Sequence, residues 1–127
     1  MQVSGNRGFF AARTNSRPAV HSPSGTVFAQ QVNGHVLAYA SNGTVLWQAS
    51  RCPYGVGGLT VEGDHVYTSG ATLCALSRLD GSLGWSVNNT NTLEDQSTVA
   101  VYSEGLWHTV LAMGVGKVNV YRHLLWL

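Results

Sequence analysis

A chain of 127 residues supplies about one domain's worth of material; its apolar content of 44% is ordinary, whereas charged residues make up only 10%, far below the roughly 25% of an average soluble protein. A net charge of +1 gives no electrostatic reason to expect a nucleic acid or an anionic membrane as the partner. Fifteen glycines, four tryptophans and many Val, Thr and Leu favour short strands joined by turns over helices, and no run approaches the roughly 18 apolar residues of a membrane span.

At the N-terminus, Arg7, Arg13 and Arg17 among serines faintly resemble a transit peptide, but residues 18–20 already fit the repeat set out below. The apolar core of a secretory signal is missing. Residues 1–16 therefore read as a separate N-terminal segment, with Gly8-Phe9-Phe10 as the closing strand of a preceding unit.

From residue 17 onward three series run in parallel: Val20, Val61 and Val101; Phe28, Tyr67 and Trp107; Trp47, Trp85 and Trp126. Their spacing sets a period close to 40 residues, the mark of a repeat architecture. Each unit opens with a short apolar run, crosses a polar turn into a β-rich segment, and meets a hairpin signal at Asn33-Gly34 or Ser69-Gly70. There follow Val36-Leu37-Ala38-Tyr39 and Leu73-Cys74-Ala75-Leu76, then turns at Asn42-Gly43 and Asp80-Gly81, and strands that carry Trp47 and Trp85. Asn-Gly and Asp-Gly tolerate the positive φ of a two-residue type I′ turn, so a four-stranded antiparallel meander is expected in each unit. The units cover about 17–50, 56–90 and 97–127. The third is worn: it lacks the glycine turn, Met113-Gly114-Val115-Gly116 lengthens a loop, and residues 122–127 read as a clipped last strand.

The stretch Ala75-x-Ser77-x-x-Asp80-Gly81-x-x-x-Trp85 resembles the alanine-to-tryptophan docking motif of the PQQ-like, or quinoprotein, β-propeller, whose positions read Ala-x-Asp-x-x-Thr-Gly-x-x-x-Trp. Ala75, Gly81 and Trp85 match, whereas Ser77 and Asp80 depart; Ala38, Gly43 and Trp47 match with one residue deleted, and the third unit keeps little beyond Trp126. The resemblance implies an all-β fold, a partial β-propeller of about three four-stranded antiparallel blades. Propellers close with about 4–8 blades, so the chain is expected to belong to a larger ring, with a ring built from several copies as the alternative. In this reading Ala38, Gly43, Trp47, Ala75, Asp80, Gly81, Trp85 and Trp126 are structural docking residues.

Two roles follow from the resemblance. One is a non-catalytic structural or protein-binding scaffold whose partner is another protein or the remaining blades, as in a bacterial outer-membrane assembly lipoprotein. The other is a fragment of a quinone-dependent alcohol or sugar dehydrogenase, and only there would PQQ and calcium be cofactors. The scaffold is the expected role, with no catalytic, cofactor-binding or metal-binding residue assigned and with an extracytoplasmic location suggested by the resemblance alone. The quinoprotein's adjacent cysteines are missing, and Glu62, Asp64, Asp80, Glu94, Asp95 and Glu104 fall at expected turns. His21, His35, His65, His108 and His123 show no ligand spacing such as His-x-x-x-His; His35 and His65 are expected at exposed strand starts and His108 on a strand. Cys52 and Cys74 lie 22 residues apart and read as a loop thiol and a small buried hydrophobe in preference to a disulfide, which leaves the redox compartment open.

Overall fold

A computed structural model of the protein describes residues 18–31, 35–50, 55–70, 72–88, 99–114 and 117–125. Among the described residues eleven strands form three antiparallel sheets. The first holds β1 (Ala19–His21), β2 (Thr26–Gln30), β3 (Val36–Tyr39) and β4 (Val45–Ala49); the second holds β5 (Gly55–Glu62), β6 (His65–Gly70), β7 (Thr72–Ser77) and β8 (Leu83–Asn88). The third holds β9 (Ala100–Glu104), β10 (Trp107–Gly114) and β11 (Lys117–Leu124). Within every sheet neighbours in sequence are neighbours in space, so each is a meander, two of four strands and one of three. Among the described residues no helix is long and apolar enough to cross a membrane.

The apolar runs at β3 and β7 do not alternate with polar residues because both faces of these strands are covered. The sheets stack face to face. Phe28, Val36 and Ala38 of the first sheet meet Val66, Cys74 and Leu76 of the second, while Tyr67, Leu73 and Ala75 on the second sheet's other face meet Val110 and Ala112 of the third. Burying one such Val, Leu or Phe side chain contributes about 1.5–3 kcal/mol, so these two contacts carry most of the hydrophobic stabilisation.

The turn chemistry differs in detail from the two-residue hairpin expected. Between β3 and β4 the Gly43 N–H donates to the Ala40 carbonyl and the Ala40 N–H to the Thr44 carbonyl, each at 2.8 Å, leaving Gly43 at φ 92° to turn the chain back. Between β7 and β8 the Gly81 N–H donates to the Ser77 carbonyl at 2.9 Å, with Gly81 at φ 76°. In each turn the glycine takes the left-handed conformation, and the loop is longer than two residues. The Asn42 and Asp80 carboxamide and carboxylate oxygens instead accept the N–H two residues on, from Thr44 at 3.0 Å and Ser82 at 2.9 Å. Asn33-Gly34 lies outside the described residues. The glycine run at the start of the second unit is part of β5, where pairing with β6 slips between Gly55 and Gly58.

The third unit sits two residues later than the Val20, Val61, Val101 and Phe28, Tyr67, Trp107 series imply. Glu62-Gly63-Asp64-His65 and Glu104-Gly105-Leu106-Trp107 form the same tight turn, with Glu62 opposite His65, Glu104 opposite Trp107 and the glycines at φ 58° and 59°. Trp107 therefore corresponds to His65 and not to Tyr67. Residues 122–124 are no separate strand: β11 runs on to Leu124, which pairs with Trp107. Trp126 and residues 1–16 lie outside the described residues.

Cys74 is fully buried, as a small hydrophobe should be, but it is disulfide-bonded and not the thiol expected. The chain's other cysteine is Cys52, which lies outside the described residues. Alkylation of the unfolded chain without reductant is expected to label no cysteine; a labelled thiol in the mass spectrum would contradict the bond.

Candidate functional site

Of the residues expected to dock, Ala38 and Trp47 lie in the contact between the first and second sheets, and Ala75 and Trp85 in that between the second and third. Ala38 stands directly opposite Trp47, and Ala75 opposite Trp85. Both alanines are fully buried, and their small side chains leave room for the indole beside them on the same face. Trp47 reaches across to the second sheet, where its Nε1–H donates to the Arg78 carbonyl at 3.0 Å and its ring covers Gly81. Phe28 flanks it with ring centroids 5.7 Å apart. Trp85 reaches toward the third sheet, between Tyr67 at 6.2 Å and Tyr121 at 6.5 Å, with the edge of His123 at 5.4 Å.

Beside Trp85 the fold gathers three histidines far apart in sequence. His65 and Tyr67 project from the same face of β6, two residues apart, toward the third sheet. His108 and His123 are direct cross-strand partners on β10 and β11, and both project back. One nitrogen from each of the three rings lies within 4.8 Å of the others. The rings meet edge to face, at 4.6 Å for His65 with His123, 5.7 Å for His65 with His108 and 6.3 Å for His108 with His123. The Tyr67 hydroxyl, fully buried, sits 2.6 Å from Nδ1 of His108 and 2.8 Å from Nδ1 of His123.

Burial sets the charge state of this cluster. It lowers His65, His108 and His123 below the ordinary histidine range; the repulsion a protonated His123 would meet from protonated His65 and His108 pushes further, taking His123 to about 4. All three rings are neutral at pH 7. Desolvation, with some help from Glu62, raises the Tyr67 phenol, which keeps its proton. That single proton can serve one imidazole, so the second ring must donate its own Nδ1–H to the phenolic oxygen, and His108 and His123 take opposite tautomers. His65 Nδ1 is buried with no hydrogen-bond partner. The cluster opens into a cleft of about 680 Å³ between the edge strands β8 and β11, lined by His65, Trp85, Val87, Tyr121 and His123.

Sequence reading placed His65 at an exposed strand start; the structure makes it half-buried. His108 is on a strand as expected, only 3% exposed. His21 and His35 do not join the cluster: His21 bonds Ser24 and His35 bonds Gln48 in the first sheet. A signal for the missed pair did exist. Gly114 opposite Lys117 fixes a hairpin register in which His108 and His123 must face each other.

The described carboxylates stay at the turns, each with a neighbour. Asp64 accepts from the Arg78 guanidinium at 2.8 Å, which holds its carboxyl below the usual range. Asp80 accepts from the Ser82 N–H, Glu62 from the Ser103 hydroxyl at 2.6 Å, and Glu104 lies 3.8 Å from Arg122. Glu94 and Asp95 lie outside the described residues. Calcium takes about 6–8 oxygen ligands, and a site built of imidazoles does not fit the ion of a quinoprotein.

Face-to-face antiparallel meanders that pass a tryptophan from one sheet to the next define a segment of a PQQ-like β-propeller. The chain belongs to the PQQ_2 family, described as outer membrane protein assembly factor BamB, whose profile matches residues 4–122. Among solved structures, BamB from Moraxella catarrhalis superposes with a TM-score of 0.69 at 15% identity, over 87% of this chain and 34% of that one. The quinohemoprotein alcohol dehydrogenase from Comamonas testosteroni gives 0.57 at 17% identity, over 91% and 20%. A europium-containing methanol dehydrogenase gives 0.51 at 21% identity, over 65% and 16%. The chain thus spans about a third of the length of that BamB, and the likenesses show a shared fold. No curated protein matches the sequence.

Proposed function

We propose that this chain is a non-catalytic part of a larger PQQ-like propeller, working as a structural or protein-binding scaffold in an extracytoplasmic compartment. The observation that carries this reading is the outer face of the third sheet. Tyr102, Val118 and Val120 stand 60%, 52% and 58% exposed there, beside Leu111, which pairs with Val120. The equivalent faces of the first and second sheets are covered by the next sheet. An apolar sheet face left open in this way is a docking surface for the next blade or for a partner protein. Membership of the BamB family supports the scaffold role, and disulfide-bonded Cys74 supports an oxidising compartment.

In light scattering, the isolated chain is expected to self-associate through this face, and Val120→Asp to shift it toward monomer. A monodisperse monomer that binds no apolar dye would overturn the reading. So would dye reduction by the chain supplied with quinone, calcium and an alcohol.

A further inference from the structure

We propose that His65, His108 and His123 form a binding site for one divalent transition-metal ion of the zinc class, bridging the second and third sheets. Three ring nitrogens from three different strands lie within 4.8 Å of one another. An ion at about 2.0–2.1 Å from each nitrogen in tetrahedral geometry needs them about 3.3 Å apart. Small side-chain rotations, on the order of an ångström, close that gap without moving the strands.

The repeat itself shows that these positions have no need of polar side chains. Relative to the Glu62 and Glu104 turns, His108 occupies the place of Val66, and His123, opposite it, the place of Leu76 opposite Val66. Val66 and Leu76 are both fully buried in the contact between the first and second sheets, where hydrocarbon fills the same space. Imidazole there forgoes apolar burial and adds a desolvation cost, so packing does not account for it. The buried Nδ1 of His65, left without a partner, is a second pointer. Buried polar atoms are almost always satisfied, and an ion held among the rings answers for the cluster's missing interaction.

The donor set chooses the class of ion. Imidazoles suit zinc, copper and nickel, whereas magnesium and calcium take oxygen ligands. An ion on Nε2 of His108 and His123 would shift one ring to the other tautomer, so that both Nδ1–H groups donate to the Tyr67 oxygen beside them, the kind of partner that orients metal-bound histidines. The cleft beside Trp85 and Tyr121 supplies a way in. Because His65 belongs to one sheet and the other two to the next, a bound ion would lock that contact.

The test uses the full chain, stripped with chelator and titrated calorimetrically with zinc chloride at pH 7.5, and separately with cobalt(II) read by visible absorption. One zinc per chain is expected, with a dissociation constant of micromolar order or tighter, and a cobalt spectrum of tetrahedral intensity. His65→Gln and His123→Gln should each weaken binding on the order of 100-fold or more, while His35→Gln should leave it unchanged. Wild-type binding no tighter than millimolar would overturn the site, as would binding that survives both cluster substitutions or is lost in His35→Gln. Since the wild-type titration decides alone, a variant that fails to fold does not shelter the proposal. The outcome is also independent of scaffold function, which the light-scattering measurement reads.

Discussion

Replacing Gly81 by alanine should lower the unfolding free energy by about 2–5 kcal/mol in urea titration. Two separate costs combine. At φ 76° a Cβ strains the left-handed backbone by about 1–2 kcal/mol. The same Cβ would lie 2.8 Å from Cδ2 and 2.9 Å from Cζ3 of Trp47, and closer still to Cε3. The ring must therefore shift, and overpacking of this kind costs about 1–3 kcal/mol. Strain on the indole's hydrogen bond to the Arg78 carbonyl is part of that second cost.

Gly105 separates the two costs. It has nearly the same backbone, φ 59°, and nothing within 4 Å of an added Cβ, so Gly105→Ala should show only the backbone part, about 1–2 kcal/mol. In a Trp47→Ala background Gly81→Ala should fall to the same value, leaving a coupling of about 1–3 kcal/mol in the double-mutant cycle. Equal losses for Gly81→Ala and Gly105→Ala in the otherwise native chain would mean that the indole does not rest on the glycine.

Trp85→Ala is expected to cost about 3 kcal/mol, the lower part of the large-to-small range because the ring is half-buried. Its indole fills the space between Tyr67 and Tyr121 and touches His123. Removing it loosens the contact between the second and third sheets and floods the cleft. Trp85→Phe should recover part of the loss. A change below about 1 kcal/mol in Trp85→Ala would put the ring outside that contact.

What was legible in the sequence was local. Ala75, Gly81 and Trp85 lie within a dozen residues, and the steric demands on them, a small neighbour, a left-handed turn and a large filler, repeat at Ala38, Gly43 and Trp47. Their spacing therefore gave the meander and the family likeness together. The third unit misled because bulky residues were matched by size, Trp107 with Tyr67, when the conserved geometry is the Glu-Gly turn that precedes them. Its last residues looked like a separate strand because no glycine breaks β11, and for the same reason they continue it. The histidine cluster was hidden for a different reason. His65 and His108 meet only because two sheets dock, and no spacing within one strand or hairpin encodes a contact between sheets.

The stack of sheets has unlike ends. On the first sheet's far face Val27, Ala29, Leu37 and Tyr39 are all buried, while the third sheet's far face is open. Head-to-tail growth needs two complementary sticky ends, and among the described residues only the third sheet's far face is open. Copies of this chain can satisfy the open face by meeting back to back about a two-fold axis, an isologous contact that closes on itself. Self-association should accordingly stop at the dimer and not run on into filaments.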